Sequence, residues 1–251
     1  MKVAALNDIH GNLPALDAVL AEVITEGCDM VVVGGDVVPG PMPAACIARL
    51  RQLHIEVRYV VGNGEVDVLR FRQGQTPERV PAAFHEGLRW CGDALSEETA
   101  NWIATWPLTT RHKIEGLGRI LFCHATPRDE NEVFTEKTPE ERLLPVLEEV
   151  EADVVVCGHT HMQFRRDVGS RRVVNAGSVG MPYGAPGAFW AVLDAEGVHL
   201  RRTKYDLTAA AASLARTGYP DHAVMRLVEP PDADTMRGAL EAAALRGGAG
   251  G

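Results

Sequence analysis

Cysteine is scarce in this sequence, and its spacing suits neither a disulfide framework nor a zinc site. The 251 residues include five cysteines, which are odd in number, widely spaced and without a C-x-x-C pair. At least two of them stand in apolar runs, as reduced core thiols do. We therefore expect a protein of a reducing compartment.

Long hydrophobic runs are also missing. No apolar stretch approaches the roughly 20 residues that cross a bilayer as a helix, and the N-terminal stretch MKVAALNDIHGN places Asp8 where a signal peptide stays apolar. The apolar fraction of 46% and the charged fraction of 24% are those of ordinary soluble globular proteins. The sequence thus predicts a soluble, cytoplasmic protein that does not use a membrane.

A net positive charge, the usual mark of a nucleic-acid binder, is absent. The net charge of -9 argues against a protein whose main task is to hold a nucleic-acid polymer. One basic cluster, RRDVGSRR at Arg165–Arg172, is interpreted as the solvated face of a hairpin. The acidic balance does not exclude a small phosphorylated substrate, because a bound metal ion can reverse the local field. Nothing in the sequence indicates the oligomeric state.

Strands alternate with helices in the first half of the chain. The run KVAAL predicts a strand, and Asn12 is placed to cap the helix that follows it, with Pro14 in the first turn. MVVVGGD and VRYVVGN predict two more strands, with a helix opening at Pro43 between them. This order implies parallel pairing, with functional residues at the carboxyl ends of the strands.

The second half continues with a helical insert at about 66–106 and a hairpin of TTRHKI and RILFCHA. Thr138–Glu141 reads as a capping box with Pro139 as the first helical residue, opening a helix to about Val150. Further strands are DVVVCGH, RRVVNAGS, AFWAVLD and VHLRRTKY.

No interdomain linker interrupts this pattern, so we predict one domain. Its main part is 1–207, and 208–251 is a helical, Ala-rich appendage of the same domain that closes in a disordered GGAGG.

Polar residues follow the ends of five predicted strands. Each could have a structural role alone, as a cap, a turn residue or a satisfied buried histidine. Seven such residues at the same edge are hard to explain by chance. They are Asp8, His10, Asp36, Asn63, His124, His159 and His161.

The chemistry of these seven side chains points to metal. Two carboxylates, one amide oxygen and four imidazoles form a mixed oxygen and nitrogen set that suits Mn, Fe, Zn, Co or Ni. Seven ligands are too many for one tetrahedral ion, but they suit two ions that share a bridging carboxylate. Two divalent transition-metal ions about 3.5–4 Å apart can clamp a phosphate ester and ionise a water.

These residues stand in the motifs Asp8-x-His10, Gly35-Asp36, Gly62-Asn63, His124 and Gly158-His159-Thr160-His161. In order and spacing, over about residues 1–180, they resemble the five signature blocks of the calcineurin-like metallophosphoesterases. The loop NAGSVG at Asn175–Gly180 is similar to one in the compact bacterial and archaeal phosphodiesterase-like members. The resemblance implies an α/β fold, a four-layer αββα sandwich of two packed mixed β-sheets flanked by helices.

The resemblance also implies roles for the residues. One metal ion would bind Asp8, His10 and His161. The other would bind Asn63, His124 and His159, and Asp36 would bridge the two. Metal-bound hydroxide would then attack a phosphodiester or phosphomonoester of a small or nucleotide-like substrate, and a phosphodiesterase is favoured over a phosphatase. The catalytic residues predicted on this basis are Asp36, Asn63, Glu65 and His124.

The third block departs from the family pattern. Many members have a histidine after the asparagine that helps the leaving group to depart, and here Gly64 takes its place, followed by Glu65. A missing proton donor costs about 10²–10⁴-fold in rate for a poor leaving group. We therefore expect a preference for activated esters or phosphoanhydrides, and Gly64→His should raise the rate on poor leaving groups unless His85 or Glu65 already donates.

This departure leaves two functions open. The first is a metal-dependent phosphoesterase. The second is a weakly active or inactive metal-containing protein with a binding or regulatory function on the same fold. The complete ligand set favours the enzyme. The residues that could contact the substrate are His85, Trp90, Arg165 and Arg166.

Overall fold

Two five-stranded sheets form the centre of the structure, a computed structural model that describes residues 1–220 and 229–247. The strands are β1 (Val3–Leu6), β2 (Met30–Val33), β3 (Glu56–Tyr59), β4 (Thr109–Ile114), β5 (Gly118–Cys123), β6 (Val154–Cys157), β7 (Phe164–Val168), β8 (Arg171–Asn175), β9 (Ala188–Asp194) and β10 (Gly197–Thr203). Their order is β10-β9-β1-β2-β3 in one sheet and β4-β5-β6-β8-β7 in the other. Both sheets are mixed: β1, β2 and β3 are parallel, as are β5, β6 and β8, and antiparallel strands complete each sheet.

Helices cover the outer face of each sheet. They are α1 (Leu13–Thr25), α2 (Pro43–Arg51), α3 (Asn63–Arg72), α4 (His85–Ala94), α5 (Glu97–Ile103), α6 (Glu140–Leu147), α7 (Leu207–Ala215) and α8 (Ala233–Gly247), with a short 3₁₀ turn at Ala82–Phe84. The region predicted as a helical insert therefore contains most of α3, the 3₁₀ turn, α4 and α5.

Alternating side chains divide the core into three apolar layers, which confirms the predicted four-layer sandwich. Between the sheets, Val32 of β2 and Phe122 of β5 belong to one buried cluster. The opposite face of the first sheet packs its Val33 against α1, α2 and the helical insert. The opposite face of the second sheet packs its Val155 against α6. Because successive strand residues point to opposite faces, each buried β-branched run fills two layers.

Local signals place α1 as predicted. Asn12 accepts a hydrogen bond from the backbone N–H of Ala15 at 3.1 Å, and Pro14 lies in the first turn. Buried Leu16, Val19, Leu20 and Val23 recur at the spacing of one helical face.

The predicted capping box before α6 is wrong. The helix begins at Glu140, and Pro139 is its N-terminal flanking residue without a side-chain cap. The hydroxyl of Thr138 instead donates to the carboxylate of Glu241 on α8 and accepts from the backbone N–H of Thr135. A contact from a distant helix therefore takes the hydroxyl that a local box would use. The helix also ends at Leu147, before the predicted Val150.

The predicted helical appendage contains α7 and α8 in its described part. Gly247 is the last residue of α8, so residues 248–251 of the predicted disordered end lie outside the described residues, as do 221–228. Among the residues that the structure describes, no helix is both long enough and apolar enough to cross a bilayer.

The fold brings two sets of strand ends to one place. In the first sheet, the parallel strands β1, β2 and β3 all end at the same edge, and β5 and β6 do so in the second sheet. Because the sheets are packed face to face, the loops that leave these five strands meet at one end of the sandwich.

Candidate metal centre

All seven predicted ligands come from the loops that follow these five strands. Asp8 and His10 follow β1, Asp36 follows β2 and Asn63 begins α3 after β3. His124 follows β5 directly, and His159 and His161 follow β6. The first sheet therefore supplies the oxygen ligands and one imidazole, and the second sheet supplies the other three imidazoles.

The ligand atoms form two overlapping groups. Those of Asp8, His10 and His161 lie within 4.8 Å of one another, as do those of Asp8, Asp36 and His124. Nε2 of His10 is 3.2 Å from Nε2 of His161, which is 3.3 Å from Oδ1 of Asp8. Asp36 reaches both groups, because its Oδ2 is 3.7 Å from Nε2 of His10 and its Oδ1 is 3.5 Å from Nε2 of His124.

Asn63 and His159 complete the set on the side of His124. Oδ1 of Asn63 is 3.1 Å from Nε2 of His124, and the ring centroids of His124 and His159 are 5.1 Å apart. The side-chain amide and the two imidazoles therefore lie on the side of the centre that Oδ1 of Asp36 faces.

Backbone carbonyls orient the imidazoles. Nδ1 of His10 donates to the carbonyl of Pro39 at 3.1 Å, that of His124 to Gly34 at 2.9 Å and that of His161 to Met181 at 2.6 Å. A proton on Nδ1 leaves the lone pair of Nε2 directed into the centre, as in metal-bound histidines.

His159 is held in the same way, since its imidazole bonds to the backbone of Asn131. All four rings thus present a nitrogen inwards.

Burial and crowding keep the imidazoles of His10 and His159 neutral. Desolvation, reinforced by His161, lowers the pKa of His10 to about 3, and desolvation, reinforced by His124, lowers the pKa of His159 to about 3. Burial alone would raise the pKa of Asp8, but the surrounding imidazoles, His161 above all, hold the pKa at about 2. Neutral imidazole and ionised carboxylate are the forms that bind metal.

Asp36 is the exception. Burial, and then the charge of Asp8, raise the pKa of Asp36 well above its usual range. Two buried carboxylates this close repel each other unless a cation lies between them.

Backbone strain is concentrated at the same residues. In the described part of the chain, the non-glycine residues with positive φ are Asp8 (55°), His10 (47°), Asp36 (54°), His159 (66°) and His161 (58°). All five are predicted ligands. The left-handed conformation costs such residues about 1–3 kcal/mol each, and it persists where the surroundings fix it for function.

Two buried atoms of the centre show that a cation fits there. In the described part of the chain, Oδ1 of Asp8 and Nε2 of His159 are buried and have no hydrogen-bond partner. An unpaired buried polar atom costs about 1–3 kcal/mol. A divalent ion beside each of these atoms would satisfy it, and the mixed donor set matches the ligands of transition metals.

Glu65 lies behind the centre and organises the loop that carries Asp36. Its Oε2 accepts backbone N–H bonds from Asp36 and Gly62, and its Oε1 accepts from Val37 and Val38, at 2.7–3.1 Å. Burial, and then the charge of Asp36, raise the pKa of Glu65 to about 7. The carboxylate is completely buried, and the four bonds direct it towards the backbone.

The loop Asn175–Gly180 positions ligands of both sheets, a role that its motif alone does not specify. The amide of Asn175 donates to the carbonyl of Gly158 at 2.6 Å, next to His159. Ser178 donates its hydroxyl to the carbonyl of Asp8 at 2.8 Å.

The centre opens into a cavity of about 650 Å³. Five predicted ligands and Gly64 lie on its floor, and its walls come from the helical insert and from the C-terminal helices. The walls are largely apolar; they include Val80, Pro81, Phe84, Leu88, Leu214 and Tyr219. Tyr183, another wall residue, stacks on the ring of His161 with centroids 5.0 Å apart.

The four side chains predicted to contact the substrate do not line this cavity. His85 packs on Phe71 and bonds through Nε2 to the carbonyl of Val80. Trp90 contacts the ring of Tyr219 from outside the cavity.

The two arginines belong to the hairpin of β7 and β8. Arg165 is exposed there, and Arg166 donates to backbone carbonyls at Thr135, Glu136 and Thr138. The interpretation of this hairpin as a solvated face holds for Arg165, and Arg166 has a structural contact instead.

A side chain at Gly64 would collide with its surroundings in this structure, so Gly64→His is expected to displace the loop after β2 before it could supply a proton donor. A Cβ atom at Gly64 would lie 2.2 Å from the carbonyl oxygen of Val38, 2.7 Å from Cδ of Pro39 and 2.8 Å from Oδ1 of Asp36. The backbone N–H of Gly64 also donates to Oδ1 of Asp36 at 2.7 Å. The loop after β2 therefore occupies the space that a histidine would need.

A family model for the calcineurin-like phosphoesterase superfamily domain matches residues 1–197. The chain belongs to this superfamily. Among curated proteins, an uncharacterized protein of Methanocaldococcus jannaschii is 26% identical over 243 residues, which cover 87% of this chain and 94% of that protein.

Solved structures show the same fold. A hypothetical protein from Pyrococcus horikoshii superposes with a TM-score of 0.75 at 21% identity, over 90% of this chain and 97% of that one. A metallophosphoesterase from Sphaerobacter thermophilus superposes with a TM-score of 0.69 at 23% identity, over 91% of this chain and 98% of that one. At these identities the likeness establishes the calcineurin-like fold of the present chain and leaves its substrate to be argued from the site.

Proposed function

We propose that this calcineurin-like phosphoesterase is a dinuclear metal-dependent hydrolase of small or nucleotide-like phosphate esters. One divalent ion would be held by Asp8, His10 and His161, and the other by Asn63, His124 and His159. Asp36 would bridge them. When bound, such a pair polarises the phosphate and ionises a water.

The observation that carries this proposal is the pair of oxygens on Asp36. Each faces an imidazole of a different group, His10 at 3.7 Å and His124 at 3.5 Å. Of the two unpaired buried atoms, Oδ1 of Asp8 lies in the group of His10, and Nε2 of His159 belongs to a ring beside His124. A single ion would leave one group unsatisfied.

The chain's own residues would prepare the site before the substrate arrives. The carbonyls that hold the imidazoles fix the direction of the four ring lone pairs. Glu65, predicted as catalytic, would act as a positioning residue, because both of its oxygens bind the loop of Asp36. The apolar walls of the cavity would exclude bulk water around the ester.

We also propose a cytoplasmic location, which the cysteines support. All five are buried and unpaired thiols.

Hydrolysis of chromogenic esters tests the function. Metal-replete protein should hydrolyse bis-para-nitrophenyl phosphate, and Asp36→Asn and His124→Ala should each lower kcat/KM by about 10²-fold or more, since a bridging or metal-binding side chain is removed. His199→Ala is the matched control, because His199 lies on β10 and pairs with Asp194 away from the cavity.

The diester and the monoester, para-nitrophenyl phosphate, should be compared at the same metal loading. The ratio of their rates decides whether the enzyme is a phosphodiesterase, as favoured by the motifs, or a phosphatase. Two bound ions with no turnover of either ester would contradict the proposal and favour a metal-containing binding protein.

A further inference from the structure

Arg79 places a positively charged side chain in the wall of the cavity. Among the described residues that line it, Arg79 is the only lysine or arginine, whereas the wall includes the carboxylates of Asp67 and Glu86. It belongs to the segment between α3 and the 3₁₀ turn, and its side chain is about one-third exposed, at 34%. A single fixed cation beside a phosphate-hydrolysing centre is a feature that recognises anions.

Two side chains from different parts of the fold fix the guanidinium. Nη2 donates to Oδ1 of Asp67 at 2.7 Å, and Nη1 donates to Oδ1 of Asn131 at 3.1 Å. The carboxylate of Asp67 is almost fully buried, with 5% of the residue exposed. Within the described part of the chain, these bonds use two of the five N–H groups that a guanidinium carries.

Both partners connect Arg79 to the second group of predicted ligands. Asp67 lies one turn after Asn63 on α3, which is about 6 Å along the helix axis. The backbone of Asn131 bonds to the imidazole of His159. Arg79 therefore lines the same cavity as Asn63 and His159 and is connected to both through its own partners.

The floor of the site favours a leaving group that needs no proton. A Cβ atom at Gly64 would collide with the backbone of Val38, so the family's histidine cannot be accommodated. The two other donors suggested by the sequence do not serve either: His85 does not line the cavity, and Glu65 accepts four backbone bonds behind it. A phosphate leaves as a stable anion, whereas an alkoxide needs protonation in the transition state.

We propose that the substrate is a phosphoanhydride and that Arg79 holds its leaving phosphate. This inference rests on the proposed function of the metal centre. The scissile phosphoryl group would lie at the predicted ligands, and the adjacent phosphate would accept N–H bonds from the guanidinium. A fixed guanidinium would then stabilise the charge that develops on the leaving oxygen, in place of a donated proton.

The reaction balances without any further reactant. The oxygen of one water forms a bond to the scissile phosphorus, and the bridging P–O bond breaks. Its electron pair stays with the leaving phosphate. The two hydrogens of the water end on the two phosphate products or pass to solvent, according to pH.

Equilibrium binding of imidodiphosphate, which resists hydrolysis, tests the role of Arg79 without turnover. Titration calorimetry on metal-replete protein should show that Arg79→Ala lowers the affinity for imidodiphosphate by about 10- to 100-fold, the usual loss of a charge-assisted contact. Its affinity for inorganic phosphate should change by less than about threefold. Arg79→Lys should be intermediate, because it keeps the charge and loses the planar fork. Arg89→Ala, which removes an exposed guanidinium packed over Phe71, should bind both probes as the wild type does.

Equal affinity of wild type and Arg79→Ala for imidodiphosphate would overturn the proposal. An equal loss of affinity for both probes would also overturn it, because that result is expected if the Arg79–Asp67 pair is purely structural. Should Arg79→Ala fail to fold, Arg79→Lys allows the same comparison of the two probes, with a smaller loss of imidodiphosphate affinity expected.

Turnover separates this inference from the function it rests on. Wild type should hydrolyse inorganic pyrophosphate or a nucleoside diphosphate, and Arg79→Ala should lose about 10- to 100-fold in kcat/KM on these while keeping bis-para-nitrophenyl phosphate hydrolysis within about threefold. Hydrolysis of the diester with no anhydride activity would overturn the inference and leave the metal-dependent function intact. No hydrolysis of either class would defeat both.

Discussion

The side chain of Glu65 ties together two loops that carry predicted ligands. Its carboxylate accepts N–H bonds from Asp36, Val37 and Val38 after β2 and from Gly62 before Asn63. Each hydrogen bond to a charged, buried group contributes about 1.5–3 kcal/mol. A single carboxylate therefore fixes how far Asp36 lies from Asn63.

Replacing Glu65 by Gln should loosen this arrangement, because an amide NH₂ cannot accept the bonds that one of the carboxylate oxygens accepts. We expect the free energy of unfolding to fall by about 2–4 kcal/mol in urea titrations. Glu98→Gln is the control: its carboxylate is exposed and pairs with Arg51 at 3.4 Å, so the change should stay within about 1 kcal/mol. An unchanged stability for Glu65→Gln would show that the four bonds contribute nothing net.

At the scale of elements, the first turn of α3 packs directly against the loop after β2. Gly64 makes this contact possible, since a Cβ atom there would meet backbone and Asp36 at less than 3 Å. Gly64 does not have a positive φ, so its backbone conformation is open to other residues. Glycine is required there because a side chain would have no room.

A matched pair of Gly→Ala variants separates these effects. Gly64→Ala should destabilise the protein by about 1–3 kcal/mol and weaken metal binding, because the added methyl group must displace the loop of Asp36. Gly238→Ala, inside α8, should be neutral or stabilising by up to about 1 kcal/mol, since a Cβ atom there meets no atom within 4 Å. Thermal melting with metal titration measures both, and equal behaviour of the two variants would contradict the steric account.

The elements and the convergence of the seven predicted ligands could be predicted from sequence because their signals are local. Buried β-branched runs end in polar residues, and parallel strands bring those ends to one edge. The cap at Asn12 is equally local. The environment of Gly64, the hydroxyl of Thr138 and the placement of Arg79 could not be predicted, because each depends on a contact with residues far away in the chain and shows no periodicity.

At the scale of the molecule, the centre is built from loops of both sheets at one end of the sandwich. Asp8, Asp36 and Asn63 come from the first sheet, whereas His124 and His159 come from the second. Ions held by both sets would link the two sheets at this end of the sandwich. They would also offset the repulsion between the buried carboxylates of Asp8 and Asp36.

Removal of metal should therefore destabilise the whole fold. A ligand that binds only the folded state at 100–1,000 times its Kd stabilises it by about 3–4 kcal/mol, and for a chain of this size that corresponds to a fall in Tm of about 5–15 °C after chelation. Calorimetry before and after verified metal removal, with re-addition as the control, measures the effect. Identical melting curves would contradict a buried metal centre.

The number of ions per chain tests the central claim most directly. Elemental analysis of metal-replete, desalted protein should find two transition-metal ions per chain in the wild type. His161→Ala should lose mainly one ion, because His161 belongs to one group, and Asp36→Asn should loosen both, because its oxygens face both groups. Two ions in the wild type with this pattern of losses is the predicted result, and at most one ion in metal-replete wild type would contradict the dinuclear centre.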